Sequence, residues 1–324
     1  MEERGIRSKR KFDGLQYFKK TKKRLAQKEL PFAPLSWDVK LGSLCNLKCR
    51  MCSPYPSSEV MSEQLAESWI EYPEAKKDYI RSTKNFFENP EFKRELLKLL
   101  PFAEEIYFSG GEPSLLTDHL ECLDEAIRLG LTDQIRVRWS TNLTRFDHRF
   151  TDRASKFKNI VLDCGVDGYG KVCEYIRYPV SWLQIEERLA EIRTALPLAE
   201  VKVICAVQVY NAFSLDRLIE WGEQGGHQIV FNYVNQPSCY STQSLPPESK
   251  QRLARQYSGL QHEKLEEFLL WTQGPGDPEA MREFLLRTER LDRVRKQDFW
   301  TLAPEGLQNE LMSFVGHQTE RHPS

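Results

Sequence analysis

From about residue 36 the chain alternates six times between short runs rich in Val, Ile, Tyr, Phe or Trp and longer stretches with apolar residues at helical spacing. The strand candidates are residues 37–44, 105–109, 135–140, 160–166, 201–209 and 229–234. Strand and helix in strict alternation fold into a parallel sheet with helices packed against it, an α/β fold. The pattern leaves open a doubly wound sheet or a full or partial barrel. Either one gathers its ligand-binding loops at the carboxyl ends of the strands.

The helices announce themselves by spacing and by their stops. Trp182, Ile185, Leu189, Ile192 and Leu196 share one face, and Pro197 ends the run. Leu120, Leu123 and Ile127 do the same before Gly130, a C-terminal cap. Ser214 stands as an N-cap before Leu215, Leu218, Ile219 and Trp221. The long stretch between Cys52 and Ile106 predicts a helical insert at about 55–100, with helices near 57–70 and 75–100. After Asn235 the alternation ends. A polar loop, NQPSCYSTQSLPPESK, leads to helical runs over 247–257 and 278–296, separated by the breaker GPGDP. The expected organisation is therefore an arm over 1–30, an α/β body over 31–236 and a mostly helical capping region over 237–324.

Residues 1–30 hold eleven Lys or Arg against four Asp or Glu, a net +7, while the whole chain is at −1. A basic arm suits a polyanion. A solvated tail is the plainer reading, because few aromatics interleave with the charges and nucleic acid is not the favoured partner. The first residues carry no apolar core, so no signal peptide is expected. No run approaches the ~18 apolar residues of a membrane span. A cytoplasmic protein with reduced thiols follows, and its eight cysteines argue for metal or chemistry before disulfides.

Directly after the first strand stands CNLKCRMC, with Cys45, Cys49 and Cys52. Three thiolates suit a four-iron four-sulfur cluster whose fourth iron is left for a chelating small molecule. The alternative is zinc, whose structural sites take four ligands; the next candidates, His119 and Cys122, lie in a helical pattern. After the second strand comes FSGGEP. Gly110 and Gly111 let a ligand lie against the backbone, and Glu112 adds an acceptor that suits an ammonium. Alone, that motif is a turn.

Four motifs at four successive strand ends resemble the radical S-adenosylmethionine (radical SAM) superfamily. They are CNLKCRMC, GGEP, STN (Ser140, Thr141, Asn142) and VDGYGKVCEYIRYP (residues 166–179). Within it, the cysteine loop, the DGYG segment and the long insert are similar to the twitch-domain group, relatives of the SPASM enzymes. The resemblance implies a partial six-stranded (β/α) TIM-like barrel over about 36–235. It implies that Cys45, Cys49 and Cys52 hold a [4Fe-4S] cluster and that S-adenosylmethionine (SAM) chelates the open iron. Gly110, Gly111, Glu112 and Pro113 then meet the SAM amino group, Ser140 and Asn142 the ribose, and Arg177 the carboxylate. Gln208 contacts ribose or adenine. Met51 stands by the adenine where many relatives carry an aromatic residue. The implied activity is reductive cleavage of SAM to a 5′-deoxyadenosyl radical that takes hydrogen from a substrate, fed by an electron donor such as flavodoxin or ferredoxin.

Strand alternation sets Asp38, Lys40, Arg138 and Asp163 on one face with Ser140 and Gln208. Either these charges pair with one another or Lys40, Arg138 and Asp163 grip a polar substrate. A small metabolite, sugar or nucleoside derivative is the first expectation and a peptide the second. Only Cys239 follows residue 205, so no auxiliary cluster is expected. That thiol is either incidental or a hydrogen donor to a product radical. Cys122, Cys164, Cys173 and Cys205 read as packing residues. A metal-stabilised nucleic-acid-binding protein is the reading from another class.

Overall fold

The computed structural model describes residues 33–40, 42–69, 89–145 and 148–316; the basic arm and most of the second insert helix lie outside them. Six strands form one sheet in chain order: β1 (Ser36–Lys40), β2 (Glu105–Ser109), β3 (Arg136–Thr141), β4 (Asn159–Gly165), β5 (Glu200–Val207) and β6 (Gln228–Tyr233). The registers from β1 through β5 are all parallel. β1 and β6 are the edges and do not pair with each other. The sheet is thus an unclosed partial barrel, as the sixfold alternation and the motif order imply.

The chain forms two compact units. One comprises Ala33–Cys205 and Trp221–Val230; the other has its described residues at Ala206–Glu220 and 231–316. In the first unit, Trp37, Val39, Ile106, Phe108, Val137, Trp139, Ile160, Leu162, Cys164, Val203 and Cys205 form the buried face of the sheet. Helix α3 (Asp118–Arg128) covers part of it, with the His119 ring 4.5 Å from Trp139 and 5.6 Å from Phe108. Its end is a Schellman turn: Gly130 (φ +71°) donates to Ile127 and Leu131 to Ala126. The remaining helices of this unit are α1 (Ser58–Ala66), α2 (Pro90–Lys98), α4 (His148–Ala154), α5 (Lys171–Ile176) and α6 (Trp182–Ala195). The other unit holds α8 (Pro247–Tyr257), α9 (Glu263–Trp271), α10 (Pro278–Arg295) and α11 (Leu307–Gly316), while α7 (Leu215–Gln224) has residues in both. The second core is built from Tyr210, Tyr257, Phe268, Phe284 and Phe299.

Four expectations are corrected. β1 ends at Lys40, because the carbonyls of Gly42, Ser43 and Leu44 turn away to accept from Gly111, Ser58 and Glu112. Within the stretch expected to be helical over 75–100, residues 75–88 lie outside the described residues, and a separate helix begins at Pro90 behind the N-cap Asn89, whose side chain accepts from Glu91 and Phe92. Ser214 is no N-cap: it ends a 3₁₀ turn, Ala212–Ser214, and its hydroxyl donates to Asn211. Helices α9 and α11 were not expected. Among the described residues no helix is long and apolar enough to cross a membrane.

Candidate functional site

The cysteine loop is fastened to three neighbours at once. Toward α1, the Ser58 hydroxyl accepts from Cys45 N–H and donates to Cys45 C=O, both at 3.1 Å. Ser57 caps α1 and also donates to Leu47 C=O at 3.0 Å. Toward the end of β3, Asn142 Nδ2 donates to Asn46 Oδ1 at 3.0 Å and to Cys45 Sγ at 3.8 Å, and Asn46 donates to Thr144 at 2.8 Å. Toward α5, the N–H groups of Lys48 and Arg50 donate to the carbonyls of Tyr178 (2.7 Å) and Ile176 (2.9 Å). A loop tied along its whole length presents its thiols without first having to order itself.

The GGEP turn is pressed against the root of that loop. A Cβ on Gly111 would stand 2.1 Å from Leu44 O, so only glycine fits there. Gly110 has φ +126°. Pro113 opens a short 3₁₀ turn behind it. Glu112 is fully buried, and protein donors take both its oxygens. Asn142 N–H donates to Oε2 at 2.6 Å, and Ser114 N–H and the Thr141 hydroxyl donate to Oε1 at 3.0 Å. Burial raises its pKa while those bonds pull it back. The carboxylate expected to meet a ligand ammonium braces the ends of β2 and β3, with Asn142 as the link to Cys45.

Arg177 and Asp167 form a buried ion pair at 2.7 Å, and the guanidinium fills the space that Gly165 leaves: a Cβ there would stand 2.7 Å from it. Burial opposes its charge, but the negative charge of a Cys49 thiolate and of Asp167 outweighs that and raises its pKa. Arg177 thus faces the cysteine loop with one nitrogen on Asp167, and its buried Nε has no hydrogen-bond partner.

The thiols suit a cluster in their chemistry. Burial pushes the Cys52 thiol up to about 12, and the neighbouring Cys49 and Cys45 add to the rise. Three thiolates in one loop repel one another, and bound iron cations remove that repulsion. Among the described residues no three His, Cys, Asp or Glu side chains close round a point as a single ion requires. Cys122, Cys164, Cys173 and Cys205 are buried, as packing thiols should be.

On the other face of the sheet the register sets Asp38, Tyr107 and Arg138 in one row, and Ser140, Asp163 and Lys202 in the next. Arg138 pairs with Asp163 at 2.6 Å and lies 4.7 Å above the Tyr107 ring, whose hydroxyl bonds Ser140. Asp38 accepts from Ser109 at 2.8 Å, and Lys40 is exposed. Met51 is half-buried. The remaining two predicted residues belong to the other unit. Gln208 is buried, its Nε2 on Ala206 C=O at 3.2 Å and its Oε1 without a partner. Cys239 is buried in a 3₁₀ turn, Ser238–Tyr240, and its thiol is pushed up to about 11 by burial.

Sequence reasoning missed Asn46, Arg50, Ser57, Ser58 and Thr144, which hold the loop. Only the serines carried a signal, as N-cap candidates ahead of an apolar-periodic run.

No curated protein sequence matches the chain. Among solved structures, native anSMEcpe with bound AdoMet is 18% identical with a TM-score of 0.49, the match covering 78% of this chain and 66% of that one. Streptococcus suis SuiB bound to S-adenosylmethionine is 16% identical with a TM-score of 0.43, covering 82% of this chain and 53% of that one. The chain therefore spans less than two thirds of the length of these structures, and the reading of the site rests on neither. The family model of the radical SAM superfamily matches residues 39–208, just over half of the chain, and this span contains the docked cysteine loop and the strand ends that hold it. The family's cofactors are a [4Fe-4S] cluster and SAM, and the thiols and their fastenings fit the first of them. The chain belongs to the radical SAM superfamily.

Proposed function

We propose that the chain is a radical SAM enzyme acting on a polar substrate. When bound, the cluster and SAM supply a 5′-deoxyadenosyl radical. The residues do the rest: Cys45, Cys49 and Cys52 ligate three irons, Glu112 and Asn142 fix the strand ends beside them, and Arg177 offers its charge to an anionic group. Gly110 and Gly111 allow close approach of a small ligand, and Ser140 and Met51 are assigned to its nucleoside part. The observation that carries the reading is the cysteine loop, tied by protein hydrogen bonds at Cys45, Asn46, Leu47, Lys48 and Arg50.

For the substrate, the supporting observation is Asp163. It is buried, Arg138 occupies only its Oδ2, and Oδ1 has no partner. A buried carboxylate oxygen without a donor costs about 1–3 kcal/mol. A hydroxyl or amine of a substrate relieves that cost, with Arg138 fixing the carboxylate and Lys40 free to meet an anion at the exposed end of the row.

Anaerobic reconstitution with iron and sulfide tests the proposal. A brown protein absorbing near ~400 nm that forms 5′-deoxyadenosine from SAM under reduction is expected, and Cys49→Ala should lose both properties. Uptake of one zinc without SAM cleavage would instead favour the metal-stabilised binding protein.

A further inference from the structure

Arg50 lies between the half-buried Cys49 and Cys52, yet it is 2% exposed. A guanidinium taken out of water is costly unless its charge and donors are met. Here Nε donates to Tyr175 C=O at 3.1 Å, and the guanidinium carbon sits 3.5 Å from the centroid of the Tyr175 ring. A desolvated stack of this kind is attractive through the ring's negative face. The main chain repeats the pattern, with the N–H groups of Arg50 and Lys48 on the carbonyls of Ile176 and Tyr178.

These acceptors sit at and just beyond the end of α5, where a helix leaves carbonyls without intrahelical partners. The cysteine loop supplies the missing donors. Between those carbonyls Arg177 points the other way, to Asp167. One short segment, Tyr175 to Tyr178, therefore holds the loop by its backbone and turns a cation toward Cys49 by its side chain.

We propose that Arg50 is a positioning residue for the cluster: through its stack on Tyr175 and its bond to the end of α5 it fixes the segment Cys49 to Cys52 at the spacing the cluster needs. Arg50 acts through the loop and touches no reacting atom. Lysine cannot replace it. A lysine keeps the charge but has neither a planar face to lay on the ring nor an in-plane N–H for the carbonyl.

This rests on the cluster reading above, and the test separates the two. The full chain, as wild type, Arg50→Lys and Tyr175→Leu, is reconstituted anaerobically. Iron retention against bathophenanthroline and the paramagnetic resonance spectrum of the reduced protein are recorded, with circular dichroism to show equal folding. Tyr175→Leu is the independent arm, since it keeps Arg50 and the acceptor carbonyl and removes only the ring. The expected result is iron held about tenfold less tightly in both variants, the usual effect of losing a residue that supports a metal ligand, with a broadened spectrum. If both variants match wild type in retention and line shape, Arg50 is packing alone and the inference falls while the cluster reading stands. If wild type itself takes up no iron, the cluster reading fails and this one with it.

Discussion

Asp167 is 1% exposed and answers the charge of Arg177, itself 9% exposed. Replacing one member of such a pair leaves the other buried and unmatched, a loss of about 3–5 kcal/mol. Asp167→Asn should therefore lower the urea midpoint sharply at pH 7, although it only exchanges one carboxylate oxygen for an NH2 group. A midpoint within error of wild type would mean that water or Cys49 already serves Arg177. Gly111 is limited by space instead of charge. Because Leu44 O would lie 2.1 Å from a new Cβ, Gly111→Ala must push the root of the cysteine loop away. The expected outcome is a folded protein whose iron content after reconstitution falls well below that of wild type, read by iron analysis beside circular dichroism.

At the scale of elements, the turn before β6 carries a pH response. Arg193 of α6 donates to the carbonyls of Gly225 and Gly226 and to Nδ1 of His227, whose ring stacks on Trp221 at 4.5 Å. Burial and then the Arg193 charge lower the His227 pKa from 6.5 to about 4. The folded state therefore binds fewer protons here than the unfolded chain between those values. The stability this contact contributes is complete above pH 6.5 and is lost as pH falls through 4. Melting temperatures measured from pH 7 to pH 4 should decline, and His227→Gln, which still accepts from Arg193, should flatten that decline. The same elements show what a sequence can reveal. β2 was legible to the residue because Glu105–Ser109 is bounded by polar and glycine positions. β1 was read four residues too long because nothing local says that residues 42–44 give their carbonyls to Gly111, Ser58 and Glu112. Helix α9 was missed although Leu265, Phe268 and Trp271 are buried at helical spacing; its N-cap is a histidine, His262, outside the usual set of Ser, Thr, Asp and Asn. The site divides likewise. The cysteines and glycines follow from what their chemistry demands, whereas Arg50 and Asn46 matter only through partners more than ninety residues away.

At the scale of the whole molecule, the chain crosses between its two compact units three times within residues 205–231. Each unit has its own apolar core, but the chemistry is unevenly divided. Among the described residues, the hydrogen bonds given above that fasten the cysteine loop run between residues 43 and 178, inside one unit. The other unit is held by aromatic packing: Phe284 is fully buried, its ring 4.8 Å from Tyr210 and 5.8 Å from Phe299. Truncating it to alanine opens a cavity worth about 3–5 kcal/mol of lost stability. If metal uptake depends only on the fastenings of the loop, Phe284→Ala should lower the thermal midpoint yet take up as much iron per folded chain as wild type when reconstituted well below that midpoint. Arg50→Lys should lose iron out of proportion to any change in its midpoint. Iron that falls in step with the Phe284→Ala midpoint would show that the loop depends on the second core as well, and that its own bonds do not suffice to preform it.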